Sequence, residues 1–243
     1  MTTRISESAC AVVAYPYPIM YRALLLLNLL LPAICSCADA EKSSPAAKDS
    51  GAEERLAPSS PRRTAGSPSD TFAQKIAAAA MKRTEAEVRY EPAYVAIDYP
   101  GGDVPSDTGV CTDVVIRSLR KVGIDLQKEV HQDMRAHFSA YPKNWGAKRP
   151  DRNIDHRRVP NLQRYLERHG AALGVTDDAK NYLPGDLVAW DLTGRGLWHI
   201  GIVVDNPMAP GKTAIVHNIG SGPVLQDCLF DWKIIGHYRL KTP

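Results

Sequence analysis

One thiol and two imidazoles in this chain have the types and the order that covalent catalysis needs. Gly109-Val110-Cys111-Thr112-Asp113 is a glycine-led turn that carries Cys111 onto the first turn of a helix, where Val115, Leu119 and Val122 recur at helical spacing and Gly123 closes the element. Unpaired N–H groups and the positive end of the helix dipole favour thiolate over thiol there, and so lower its pKa towards neutrality. Downstream, two apolar strands carry His199 and His217 on either side of a Pro/Gly turn at residues 206–212. A symmetric hairpin centred on Met208 sets His199 opposite His217 on one face, with Cβ atoms about 5 Å apart. Gly201 falls on that face too and clears space beside His199. A base with an orienting partner, next to a helix-borne cysteine, suits nucleophilic catalysis. That arrangement requires the sulfur within about 4 Å of a His199 ring nitrogen. A zinc site from Cys111, His199 and His217 is the competing reading; it lacks local ligand spacing.

The elements that must position these groups are readable around them. Helices are expected over residues 71–89 (capped by Ser69 or Asp70), from Cys111 to Gly123, over 126–141 until Pro142, and over 160–170. Residues 94–99 read as extended and 143–158 as irregular and basic. From Pro184 onward the texture becomes strands, at 187–190, 198–205, 214–219 and 233–240. Helices first and an antiparallel sheet afterwards make an α+β fold.

The chain has 243 residues and a formal net charge of +3, which sets it apart from basic nucleic-acid binders. Residues 23–31 are the one strongly apolar run, short for a bilayer span and preceded by Arg22, as in a secretory signal. Met20 would then be the natural start. Residues 1–40 read as the signal. Ala38-Asp39-Ala40 fits an ordinary cleavage site, while Ile34-Cys35-Ser36-Cys37 resembles a lipobox that would place a lipid tether on Cys37; an uncut anchor helix is the third possibility. Residues 41–70, rich in Ser, Pro and Ala, form a disordered linker, and residues 71–243 one folded domain. The expected location is periplasmic or extracellular. Of the cysteines beyond residue 40, Cys111 and Cys228 remain; a bridge between them would silence the nucleophile, and Cys228 is read as a buried filler.

Several motifs together resemble a known group. Pro184-Gly185-Asp186-Leu187-Val188, His199-Ile200-Gly201-Ile202-Val203 and Ile215-Val216-His217 resemble the NlpC-type cell-wall cysteine peptidases of the papain-like fold. Tyr99-Pro100-Gly101-Gly102-Asp103-Val104-Pro105, Gly109 to Asp113, Asn153-Ile154-Asp155-His156-Arg157-Arg158 and Val216-His217-Asn218-Ile219-Gly220 are similar, more closely, to the bacterial domain-of-unknown-function family 1287. The resemblance implies Cys111 as nucleophile, His199 as base, His217 as its orienter, and Tyr99 with the Cys111 N–H at the oxyanion. The peptidases carry Asp-Cys-Ser-Gly, whose Asp grips a substrate amine. Here Val110 stands in that place, and Asp113 either substitutes for it or caps the helix.

Arg157 and Arg158 suit bidentate capture of the carboxylates of an acidic peptide, or form a solvated loop with internal ion pairs. His156 and Asn218 are counted with them as substrate contacts. His131, His137, His169 and His237 are left as structural. The expected function is a secreted cysteine hydrolase of an amide bond in or near peptidoglycan, monomeric and needing no cofactor. An acyltransferase or transglutaminase using the same nucleophile, and a catalytically silent cell-wall-binding module, are the alternatives.

Overall fold

The structure, a computed structural model, describes residues 71–242. The apolar run, the start at Met20, the cleavage motifs, Cys37 and the linker at 41–70 lie outside the described residues. Helix α1 (Phe72–Arg83) begins at Thr71 in a capping box: Thr71 Oγ1 accepts from the Gln74 N–H and Gln74 Oε1 from the Thr71 N–H. It ends at Arg83, short of the expected Arg89, because the chain there leaves to form β1 (Arg89–Tyr90), which pairs in parallel with β2 (Thr108–Gly109). That pairing leads into the Cys111 turn.

Helix α2 (Cys111–Lys121) starts on the cysteine, as its spacing requires, and Gly123 takes φ +91° just beyond its end. Helix α3 (Leu126–His137) is capped by Asp125, whose carboxylate accepts from Gln127 N–H, and continues as a single 3-10 turn at Phe138–Ala140. Helix α4 (Val159–Arg168) has Pro160 in its first turn, where a missing N–H costs nothing. The six-stranded antiparallel sheet contains β3 (Ala172–Leu173), β4 (Leu187–Asp191), β5 (Trp198–Asp205), β6 (Thr213–His217), β7 (Val224–Gln226) and β8 (Lys233–Tyr238), in the order β3-β8-β4-β5-β6-β7. The α+β expectation is therefore met. Strands β3 and β7 are too short to leave a period in the sequence.

Alternation along β5 divides the sheet. Ile200, Ile202 and Val204 join Val115 and Leu119 of α2 and Ile76 of α1 in the main core, while Val203 joins Val188, Trp190 and Ile215 in a second one on the opposite face. Each fully buried aliphatic side chain contributes about 1.5–3 kcal/mol, so the sheet holds α2 from one side and a second layer from the other. Among the described residues no helix is long and apolar enough to cross a membrane.

Candidate active site

Cys111 is fixed by its own turn. The Asp113 carboxylate reaches back to accept the Val110 N–H at 2.7 Å and is itself gripped by Arg157, Nε to Oδ1 at 3.0 Å and Nη2 to Oδ2 at 2.9 Å. Both side chains are 3% exposed. A charge buried that deeply has to be paired, so Asp113 is the helix cap and Arg157 its counter-ion. Neither is free to hold substrate as the sequence reading has it. Asn218 is likewise committed: its Nδ2 donates to Gly109 O at 3.3 Å and pins the Cys111 turn to the end of β6.

The Cys111 thiol is buried, and that burial pushes it up to about 11, with the Asp113 charge adding to the shift. The N–H groups of Ile200, Thr112 and Cys111 itself oppose it. The helix N-terminus does favour thiolate, as the sequence argument holds, but desolvation outweighs it. In the resting protein the sulfur is a neutral thiol.

The histidines meet, by a register different from the one expected. Strands β5 and β6 pair Ile202 with Val216 and Asp205 with Thr213, two residues away from the hairpin centred on Met208. A shift of two keeps every side chain on its face. His217 therefore comes beside Gly201, where an added Cβ would lie 3.1 Å from His217 Cβ and 2.6 Å from Ile215 Cγ2. Across that gap His199 Nε2 reaches His217 Nδ1 at 2.7 Å, and His217 Nε2 lies 3.1 Å from Gln226 Oε1. Trp190 and Trp232 pack against His199 at centroid distances of 5.9 and 6.2 Å. Burial, then the neighbouring His217, pulls His199 down to about 3. Burial also lowers His217, against the opposing Gln226 hydrogen bond. Both rings are neutral at ordinary pH.

The expected sulfur–imidazole hydrogen bond between Cys111 and His199 is absent among the described residues. Cys111 packs with Ile200 in the helix-side core, whereas His199 shares the far face with Trp190, its cross-strand partner. The link runs through backbone. Val203 N–H donates to Asp186 O on the β4 side, so alternation turns the Ile200 N–H towards the β6 side. There the β5–β6 ladder has already ended at Ile202. That N–H is what stabilises the Cys111 sulfur. The thiol thus sits at the level of His199, against the peptide that joins His199 to Ile200. The zinc alternative needs Cys111, His199 and His217 to converge, and among the described residues no three His, Cys, Asp or Glu are grouped to hold a metal ion.

A cleft of about 380 Å³ opens over Cys111, lined by Tyr90, Tyr94, Trp145, Arg158 and Trp198 among others. Trp145 stands 59% exposed at its rim with φ +59°, edge-on to Trp198 at 5.8 Å, and the Arg158 guanidinium lies over its ring at 4.7 Å. Arg158 spends one nitrogen on Asp155 Oδ1, at 3.3 Å. Of the sequence-named substrate contacts, Arg158 and an edge of Arg157 reach this cleft. His156 is buried and does not line it, drawn down to about 4 by burial and by Arg157. Tyr99 does not reach the cleft: it packs edge-on against His131 of α3 at 5.1 Å. Tyr94 lines the cleft, its hydroxyl accepting from Asn153 Nδ2 at 2.6 Å and donating to Asp151 Oδ2 at 3.2 Å. Tyr90, Tyr94, Trp145 and Trp198 escape sequence reasoning because three lie in short or irregular segments with no period. Trp198, adjacent to His199, carried the one usable signal.

A protein of Escherichia coli K12, "Uncharacterized protein YijF", is 49% identical over 164 residues, covering 68% of this chain and 80% of that relative. No solved structure matches. The family model described as "Domain of unknown function (DUF1287)" matches residues 77–240, a span that takes in Cys111, both histidines and the aromatic cleft, and the chain belongs to that family.

Proposed function

We propose that the protein is a secreted or lipid-tethered cysteine hydrolase of the NlpC-type, papain-like kind, cleaving an amide bond in or near peptidoglycan peptides. One observation carries this reading: a helix-borne thiol held by the Ile200 N–H, at the unpaired edge of the strand that presents His199 to His217. Arg158, with part of its guanidinium free above Trp145, supplies a cation for a substrate carboxylate.

The chemistry follows from the neutral resting pair. With thiol and imidazole both uncharged, deprotonation accompanies substrate binding. His199 takes the thiol proton, the sulfur adds to the carbonyl carbon, and the oxygen gains the negative charge. The N–H groups of Cys111, Thr112 and Ile200 already favour negative charge beside the sulfur. Imidazolium then gives its proton to the departing amine as the C–N bond breaks. Water, deprotonated by the same ring, releases the acyl group and restores the thiol.

The test is incubation of the intact chain, and of Cys111→Ala, with purified peptidoglycan, reading released fragments by mass spectrometry. New amide-cleaved fragments from the wild type alone support hydrolysis; fragments extended by an added amine would instead support the acyltransferase. The thiol's rise to about 11 favours a second reading, a silent cell-wall-binding module. Equal retention of both proteins on peptidoglycan without any fragment would establish that one and end the hydrolase proposal.

A further inference from the structure

We infer that Gln226 is a positioning residue that sets the tautomers of both buried histidines, leaving His199 Nδ1 as the lone-pair site. Strand β7 pairs with β6 so that Gln226 faces Ile215 and His217 faces Val224. Gln226 therefore shares the His217 side of the sheet, two residues along. Its amide carbonyl, at 3.1 Å from His217 Nε2, can only accept. His217 Nε2 must then carry the proton. A neutral imidazole has one donor and one acceptor, so His217 Nδ1 is the acceptor. At 2.7 Å from it, His199 Nε2 is the donor, and His199 Nδ1 is left unprotonated.

The chain of three side chains is directional, and its direction is fixed at the Gln226 end. Two donors compete for the same His217 nitrogen: the Gln226 amide nitrogen, were that amide turned over, and the Cys228 sulfur, 3.7 Å away. An S–H donated there would reverse the whole sequence and put the proton on His199 Nδ1. Gln226 thus decides whether His199 can accept a proton at Nδ1. Its usefulness for catalysis rests on the hydrolase reading; the tautomer assignment does not.

Long-range nitrogen–proton NMR of the intact, nitrogen-15-labelled chain at neutral pH reads the tautomers directly. Both His199 and His217 are expected as Nε2–H forms. Gln226 is exposed, so its variants keep the fold. Gln226→Glu, still an acceptor, keeps both forms. Gln226→Leu loses them, and combining it with Cys228→Ala separates release from capture by the thiol. Cys111 alkylation at fixed pH should slow by on the order of tenfold in Gln226→Leu and recover in Gln226→Glu. An Nδ1–H signal from either ring in the wild type, or an unchanged pattern in Gln226→Leu, overturns the inference. If the tautomers are as stated while peptidoglycan is never cleaved, the hydrolase reading fails and the assignment stands.

Discussion

Removing the Cys111 sulfur should abolish turnover, since among the described residues no other thiol lines the cleft to carry the acyl intermediate. His199→Ala should nearly abolish it, and His217→Ala should leave a weak remainder, because losing an orienter costs less than losing the base. Cys228→Ala, which removes a competing donor to His217 Nε2, should leave turnover within a few-fold of wild type. Product formation on peptidoglycan, with circular dichroism to show that each variant folds, decides the set; full turnover in Cys111→Ala would dismiss the nucleophile. The thiol, raised to about 11 by burial, also predicts how Cys111 reacts with iodoacetamide. Thiolate increases about tenfold per pH unit below that value, so the rate should climb steadily from pH 7 to 10. A preformed thiolate–imidazolium pair would give a rate flat across that range. At this scale the sequence foresaw that His199 and His217 share a face and that Cys111 opens a helix, while the sulfur–imidazole hydrogen bond it required is absent among the described residues. It misjudged their electrostatics, because solvent exclusion around Cys111 and His199 depends on Trp190, Trp232 and the core, which no local motif encodes.

At the scale of elements, the hairpin shows why pattern reading succeeds on faces and fails on registers. Side-chain alternation has a period of two, so a centre at Met208 and the observed pairing predict the same side for His199 and His217. They disagree on the neighbour, and the gap at Gly201 settles where His217 fits. Gly201→Ala would drive a methyl group into Ile215 and His217, costing about 1–3 kcal/mol and moving the orienter. The expected result is a lower melting temperature together with a loss of turnover larger than the stability change explains; a fully active variant would show the close approach to be incidental. Helix α2 depends equally on the Asp113–Arg157 pair. Arg157→Ala leaves a buried carboxylate without its counter-ion, and should cost about 3–5 kcal/mol, measured by denaturant unfolding. A cost below about 1 kcal/mol would mean the Asp113 carboxylate is hydrated or protonated instead. The sequence offered Asp113 as cap or amine grip and Arg157 as substrate cation, and only tertiary folding brings the two together across 44 residues.

Over the whole molecule, burial of neutral titratable groups sets a window of stability in pH. His156 and His199 are drawn from 6.5 to about 4 and about 3, chiefly by burial. The unfolded chain therefore binds protons that the folded one refuses. Their contribution is fully present above about pH 6.5 and is lost as pH falls through the folded values. Asp186, lowered by its hydrogen bonds to His237 and Arg239 despite its burial, loses its contribution on the same side. Asp155, raised by burial, acts in the opposite sense. On the alkaline side Cys111 is raised to about 11 and Cys228, Tyr165 and Tyr238 to about 12, all by burial first. Their stability is present below about pH 9 and is lost as pH rises through those values. The melting temperature of the intact chain should accordingly be nearly level from about pH 6.5 to 9 and fall on both sides, by a few kcal/mol in equivalent stability towards pH 4. His156 is the group to test, since it lies buried at 3% exposure and outside the proposed chemistry. In His156→Gln the acid limb should become shallower while the alkaline limb stays where it is. An acid limb identical to that of wild type would show that His156 is not held neutral by its surroundings and would remove its share of the acid limb.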